Sequence, residues 1–425
     1  MIRYLMIILL FALSGIVTAH DNFQKTFQDK TLRLDFTLAG NDTTTEIFIE
    51  QQRKLDDWAG SRVNLVDDRN YGNFRYQLFD HQTGQLIFSR GFGSLFQEWQ
   101  STPEARTMKR SYYQVALMPF PKNKVDFVVE KRTWDGVYEQ LLKLEIDPND
   151  YFIVSEKAAD YPVEIIRNSG KPANKVDLVF LPEGYTKDEM DKFKDDIKRL
   201  TDYLFTIPPY DQHRDDFNFY AVLVPSVESG TDFPGEGVYK NTAFNSSFYT
   251  FDTPRYLTSR DLKSIHDAAA AVPYDQIYVL VNSPTYGGGG FYNYLNLTSV
   301  DNERSPQVFV HEFGHGFAGL ADEYYTSGVA FDEFYNLKVE PWEPNITTRV
   351  AFGGKWESMI DAETPRPTPR IVKYKDKVGL FEGGGYNEKG IYSPMMDCRM
   401  KTNEATGFCP VCSAAIEETI RLYCE

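Results

Sequence analysis

Ser305-Pro306-Gln307-Val308-Phe309-Val310-His311-Glu312-Phe313-Gly314-His315 is the stretch on which this chain turns. Ser305 suits a helix N-cap and Pro306 the first helical position, so a helix is expected to open here. On that helix His311 and His315 stand one turn apart on one face, where their imidazoles can close on a single metal ion. Glu312 is turned about 100° round the axis. That places it beside such an ion, where a general base can take a proton from an activated water. Histidine is scarce, with six in the chain, so two of them four apart with Glu next to the first is not the scatter expected of core histidines.

A hydrolytic zinc site needs a third protein ligand and an open fourth position. Gly316-Phe317-Ala318-Gly319 can end the helix, with Gly319 in a left-handed turn. The chain then delivers Leu320-Ala321-Asp322-Glu323-Tyr324-Tyr325. Asp322 is the expected third ligand, with Glu323 next. Glu333 is the candidate if the ligand comes from a second helix. The layout resembles that of the metzincins, with one extra residue and a carboxylate in place of a third histidine. One catalytic Zn²⁺ is expected.

Three further features surround this motif. Tyr392-Ser393-Pro394-Met395-Met396-Asp397 resembles a Met-turn, with Met395 or Met396 as a polarizable floor beneath the metal histidines. Gly287-Gly288-Gly289-Gly290 reads as a glycine loop leading into an edge strand over Phe291-Tyr292-Asn293-Tyr294-Leu295-Asn296, along which an extended peptide can pair. Tyr324, Tyr325 and Tyr392 are candidates for stabilising an oxyanion.

The 425 residues are long for one core, and the texture changes part-way along. We expect an α+β chain of two domains: a signal peptide over 1–19, an all-β, immunoglobulin-like sandwich over 20–155 and an α/β, zincin-like domain over 156–425. In the first domain Leu32, Leu34, Phe36 and Leu38 alternate with polar residues. Similar runs follow at 46–51, 74–79, 85–89, 112–118, 125–129 and 142–146, separated by turn chemistry. No catalytic constellation stands out there. In the second domain Val176–Leu181, Phe217–Val224 and Gln276–Val281 read as buried strands. They alternate with helices opening at Thr186 and Ser259.

Arg3, the apolar run Leu5–Ala12 and Val17-Thr18-Ala19 fit a cleaved secretory leader, so the protein is expected to be secreted, periplasmic or on a bacterial cell surface. No later stretch reads as a membrane span. A net charge of −16 argues against nucleic acid as a partner. Cys398, Cys409, Cys412 and Cys424 are all the cysteines present. In an exported chain they are expected to form disulfides, of three possible pairings, and a structural zinc site is the alternative.

His311 through Tyr325 resembles the active-site signature of the bacterial IgA-peptidase family of metallopeptidases. Val176-Asp177-Leu178-Val179-Phe180-Leu181-Pro182-Glu183-Gly184-Tyr185 is similar to the opening of that family's catalytic domain, and Met395–Cys412 to its C-terminal part. The β-rich domain resembles one that precedes the catalytic domain in some members. The resemblance covers about residues 160–425. It implies a zinc endopeptidase of zincin fold acting on proteins or peptides, with His311, His315 and Asp322 as ligands and Glu312 as base. It does not imply that immunoglobulin A is cleaved. A metal-stabilised binding protein, or a zinc hydrolase of non-protein amides, would share the motif. The intact Glu312 argues against the first, since a purely structural site has no use for a base.

Overall fold

The computed structural model describes residues 19–155, 159–325 and 334–425. After a short helix α1 (Ala19–Thr26), two antiparallel sheets build the N-terminal region. β1 (Phe27–Gly40) runs between β2 (Thr45–Leu55) and β5 (Arg110–Pro121). The second sheet holds β3 (Phe74–Asp80), β4 (Leu86–Phe92), β6 (Val125–Arg132) and β7 (Tyr138–Ile146), in the order β4-β3-β6-β7. A short helix, α2 (Leu95–Gln100), follows β4. Every run of alternating residues picked out in the sequence falls on one of these seven strands, the run at 85–89 starting one residue before β4. The cause is the two-residue period: Leu32, Leu34, Phe36 and Leu38 enter one core with Phe74, Leu78, Phe127 and Val129 of the facing sheet.

The opposite face of β1 differs from the sequence expectation of a solvated side. Arg33 and Asp35 are completely buried there, joined by two hydrogen bonds of 2.6 and 2.7 Å. Arg33 also reaches Asp267 of the following region at 2.7 Å, as does Arg53 at 2.6 Å. A polar stripe thus faces inward because a charged helix from another part of the chain covers it.

The following region carries β8 (Val163–Arg167), β9 (Val176–Glu183), α3 (Met190–Leu204) and β10 (Phe217–Val222). A two-residue ladder of β11 (Ser246–Ser247) and β12 (Thr258–Ser259) precedes α4 (Leu262–Ala269) and β13 (Gln276–Val281). Next come β14 (Gly288–Phe291), β15 (Leu295–Ser299) and α5 (Ser305–Ala318), then a hairpin of β16 (Phe381–Gly384) and β17 (Asn387–Ser393), and finally α6 (Pro410–Cys424). Six strands form one mixed sheet, ordered β14-β15-β13-β9-β10-β8. The central pairs are parallel, and the edge strands β14 and β8 run antiparallel to their neighbours.

Alternation along these strands sorts the chain into two cores. Leu178, Phe180, Phe219, Tyr278 and Leu280 face Phe193, Ile197 and Leu200 of α3, Phe309, Phe313 and Phe317 of α5, and Ile416 of α6. Val179, Leu181, Val222, Val279, Val281, Leu295 and Leu297 face the other way, toward α4 and the N-terminal sheets. The β-rich region is therefore packed against the sheet. Further ties are the Gly93 N–H to the Tyr292 carbonyl at 2.7 Å and the Trp342 indole to Asn73 at 2.8 Å. The expected division at 155/156 borders residues 156–158, which lie outside the described residues.

Two helix starts differ from expectation. The helix expected from Ser259 begins at Leu262, because the Asp261 carboxylate accepts from the Ser264 N–H. Ser259 instead donates to the Phe244 carbonyl. At Thr186 the expected cap is present, with Glu189 returning to the Thr186 N–H at 2.8 Å, but one 3₁₀ turn precedes α3.

Candidate active site

α5 carries the motif, but it opens one residue earlier than expected: Arg304 occupies the cap position, with no side-chain capping bond, and Ser305 is the first helical residue. Its assigned start includes Ser305, with Pro306 in the first turn, and Gly319 ends it with φ +65°. The Gly319 N–H and the Leu320 N–H close back on the His315 and Gly314 carbonyls. This turn redirects the chain so that Asp322 returns to the histidine face. His311 Nε2 and His315 Nε2 are 3.0 Å apart, and Asp322 Oδ1 lies 3.1 and 3.3 Å from them. A tetrahedral Zn²⁺ with bonds of about 2.0–2.1 Å requires donor atoms roughly 3.3 Å apart. The three donors meet that requirement.

The surrounding hydrogen bonds fit the same use. His311 Nδ1 lies 2.9 Å from the Arg399 carbonyl, and His315 Nδ1 bonds the Leu320 carbonyl. Each ring thus donates its Nδ1 proton to backbone and turns its Nε2 inward. Asp322 Oδ2 accepts from the Tyr386 hydroxyl, whereas Asp322 Oδ1 is buried with no hydrogen-bond partner. A buried carboxylate oxygen without a donor is costly in protein alone, and a cation offsets that cost. Burial opposes ionisation of Asp322, but the adjacent His315 and His311 outweigh it and hold the carboxyl well below its usual range. Burial pushes Glu312 up, against the pull of His311 and His315.

The site opens into a cavity of about 380 Å³. Glu312, His311 and His315 are half-buried on its wall. Gly288, Gly289 and Gly290 form the facing wall, and here the expectation is corrected: the glycines are themselves the edge strand β14, not a loop before it. Their role is close approach. A Cβ on Gly290 would lie 2.2 Å from the Glu312 carbonyl oxygen, and one on Gly288 would lie 2.8 Å from Glu312 Oε1. Of the segment expected as the edge strand, Phe291 ends β14, residues 292–294 turn, and Leu295 and Asn296 open the next strand inward, β15.

Of the three candidate tyrosines, Tyr324 lines the cavity, within hydrogen-bonding reach of Asp322 and Arg255. Tyr325 packs between Arg370 and Lys401, and Tyr392 lies under Arg349; neither lines the cavity. Met395 and Met396 do not line it either. The methionine against the histidine helix is the fully buried Met400, whose Sδ would meet a Cβ on Gly314 at 2.8 Å. Glu323 does not join the histidines; its carboxylate turns to Cys412 Sγ at 3.2 Å. Glu333 lies outside the described residues. The expected disulfides are not formed: Cys398 Sγ and Cys412 Sγ are 3.7 Å apart, and Cys424 lies against the Asp216 carbonyl.

Four residues of the site escaped the sequence reading. Tyr386 orients Asp322, and Arg255 reaches Tyr324. Glu98, from the N-terminal region, enters the same cavity and accepts from Tyr256. Burial pushes its carboxyl up to about 7. No local signal marks these positions, since each is isolated in sequence from the motif it serves.

A family model described as IgA peptidase M64 matches residues 163–373 and 370–420, and one described as Peptidase M64 N-terminus matches residues 22–143. The chain belongs to the IgA peptidase M64 family. It is therefore a metallopeptidase, and its substrates are peptides. The M64 catalytic match contains the whole histidine–aspartate cluster, and the M64 N-terminal match contains Glu98. No curated protein shows a match to the chain.

Proposed function

We propose that this M64 peptidase is a secreted, zinc-dependent endopeptidase with His311, His315 and Asp322 as metal ligands and Glu312 as general base. The observation that carries this is the meeting of three donor atoms at 3.0–3.3 Å, one of them a buried oxygen without a partner. Two neutral imidazoles and a carboxylate suit Zn²⁺. Bound there, the ion supplies Lewis-acid polarisation of the scissile carbonyl and acidifies a water molecule.

The chain's own residues do the rest. Glu312 sits beside the donor set, with a carboxyl that burial makes more basic than in water. It accepts a proton at its carboxylate from the attacking water and returns that proton to the leaving amine. Tyr324 is placed to donate to the developing oxyanion. Tyr386 and the Leu320 and Arg399 carbonyls fix the orientation of the three ligands. β14 offers backbone to an extended substrate, a segment of protein chain running antiparallel or parallel beside the glycines. Host or dietary glycoproteins and immunoglobulins are the substrate classes we would assay first.

The zincin assignment is supported by the motif helix lying under a mixed sheet with an antiparallel edge strand at the cleft. The immunoglobulin-like assignment of residues 20–155 is supported by seven strands in two facing sheets. Secretion is supported by the leader-like residues 1–19. Among the described residues no helix is long and apolar enough to cross a membrane. Sequencing the N-terminus of protein recovered from culture fluid tests export. Casein cleavage with and without chelator, beside zinc analysis of Asp322→Ala, tests the chemistry. Unchanged zinc content in Asp322→Ala would remove Asp322 from the ligand set.

A further inference from the structure

Behind the histidine helix lies a second cluster of donor atoms. Cys398, Cys409, Cys412 and Glu323 each present one ligand atom, and the four atoms all lie within 4.8 Å of one another. All four residues are buried, at 1, 4, 0 and 0% exposure. Cys398 Sγ and Cys412 Sγ are 3.7 Å apart, and Cys412 Sγ is 3.2 Å from Glu323 Oε1. Thiolates bound at about 2.3 Å to a tetrahedral ion stand roughly 3.8 Å from each other, whereas a disulfide brings them to about 2.05 Å.

Three other features point to a ligand. Glu323 Oε2 is completely buried with no hydrogen-bond partner. The backbone N–H of Cys409 points to Cys398 Sγ at 3.3 Å, and that of Cys412 to Cys409 Sγ at 3.5 Å. Such donors stabilise thiolates in preference to thiols. Cys409-Pro-Val-Cys412 also opens α6, where the helix N-terminus favours negative sulfur.

We infer that Cys398, Cys409, Cys412 and Glu323 bind a second, structural Zn²⁺ ion. Three sulfurs and one carboxylate oxygen complete a tetrahedron, leaving no open position. Soft sulfur donors select zinc over magnesium or calcium. Binding releases the protons of any thiols then protonated to solvent, with no change of oxidation state. The Lys401 ammonium, donating to the Glu323 carbonyl at 2.7 Å, offsets part of the negative charge of the ligand set.

The position gives the second ion its role. Glu323 follows Asp322 directly, so holding its carboxylate fixes the segment that carries Asp322. Cys398 precedes Arg399, whose carbonyl orients His311, and Met400, which packs on Gly314. The Glu323 N–H bonds the Met400 carbonyl at 2.8 Å, tying the two segments together. The structural ion therefore clamps the segments that position the reacting site.

Its occupancy is separable from the histidine site. Full-length His311→Ala/His315→Ala protein, saturated with Zn²⁺ and desalted, is expected to retain one zinc per chain by plasma mass spectrometry. Exchange for Co²⁺ should give thiolate-to-cobalt absorption in the near ultraviolet, lost when Cys409→Ser is added. If Cys409→Ser does not fold, the histidine variant alone decides, since it leaves the cysteine cluster intact. The inference is overturned if that variant keeps no zinc. It is equally overturned if the mass of the purified protein shows a disulfide between any two of Cys398, Cys409 and Cys412. Zinc lost from the histidine variant but present in the native chain would leave the catalytic proposal standing and remove this one.

Discussion

Asp322 is held by a hydroxyl sixty-four positions away in the sequence, that of Tyr386. Outer hydrogen bonds of this kind typically change metal affinity by about 10–100-fold when removed. Tyr386→Phe is therefore expected to weaken zinc binding within that range while leaving the fold intact, as chelator competition would measure; unchanged affinity would contradict the positioning role. Glu98 makes a separate prediction. Below its unfolded value, about 4.5, the carboxyl is neutral in both states. As pH rises toward about 7, the unfolded chain ionises first, so the native protein loses stability. Glu98→Gln does not titrate. Its melting temperature relative to wild type should climb between about pH 4.5 and 7 and then level off, by a free energy on the order of 3 kcal/mol. A flat difference would show that burial does not hold Glu98 protonated. His311, Glu312 and His315 were legible in the sequence because one helical turn sets their spacing. Asp322 was legible because a single glycine turn connects it to them. Tyr386, Tyr256 and Glu98 were not, since only tertiary packing brings them near.

Elements with a clear period were read well from sequence. β9 and β13 are buried along their whole length and apolar but for Asp177, Glu183 and Gln276, and the residues of α3 repeat at helical spacing, because those patterns are what packing on two faces of a sheet demands. β14 was misread because consecutive glycines carry no period and signal a loop; their role appears only when the backbone of α5 lies against them. Gly290→Ala places a methyl 2.2 Å from the Glu312 carbonyl oxygen, so the strand or the helix must shift. We expect loss of peptidase activity and a lower melting temperature. Gly354→Ala, with nothing within 4 Å, should change neither. Equal behaviour of the two variants would contradict the close packing of β14 on the motif helix. The Met-turn was displaced for a related reason: a methionine pair in a turn resembles many others, and only the fold selects Met400.

Across the whole molecule, the N-terminal sheets and the mixed sheet share one core, and Arg33, Asp35 and Asp267 form a buried polar joint between them. Removing one partner of such a group strands the others, at a cost of about 3–5 kcal/mol. Arg33→Ala should lower the unfolding free energy by that amount in denaturant titrations, with tryptophan fluorescence and circular dichroism reporting one shared transition. Two separated transitions in the native protein would show that the regions fold independently. This joint was invisible in the sequence, where Arg33 and Asp35 read as the solvated side of a strand. The cavity has the same dual origin, with Glu98 from one region and Glu312 from the other. That joins the N-terminal region to the proposed reaction site, whose central element is the carboxylate beside the two histidines. Glu312→Gln keeps the size of the side chain and removes the proposed base. Zinc content and peptide-cleavage rate measured on the same preparation should show full metal occupancy with activity reduced by about 10²–10⁴-fold. Cleavage continuing at the native rate in a zinc-loaded Glu312→Gln protein would contradict the mechanism.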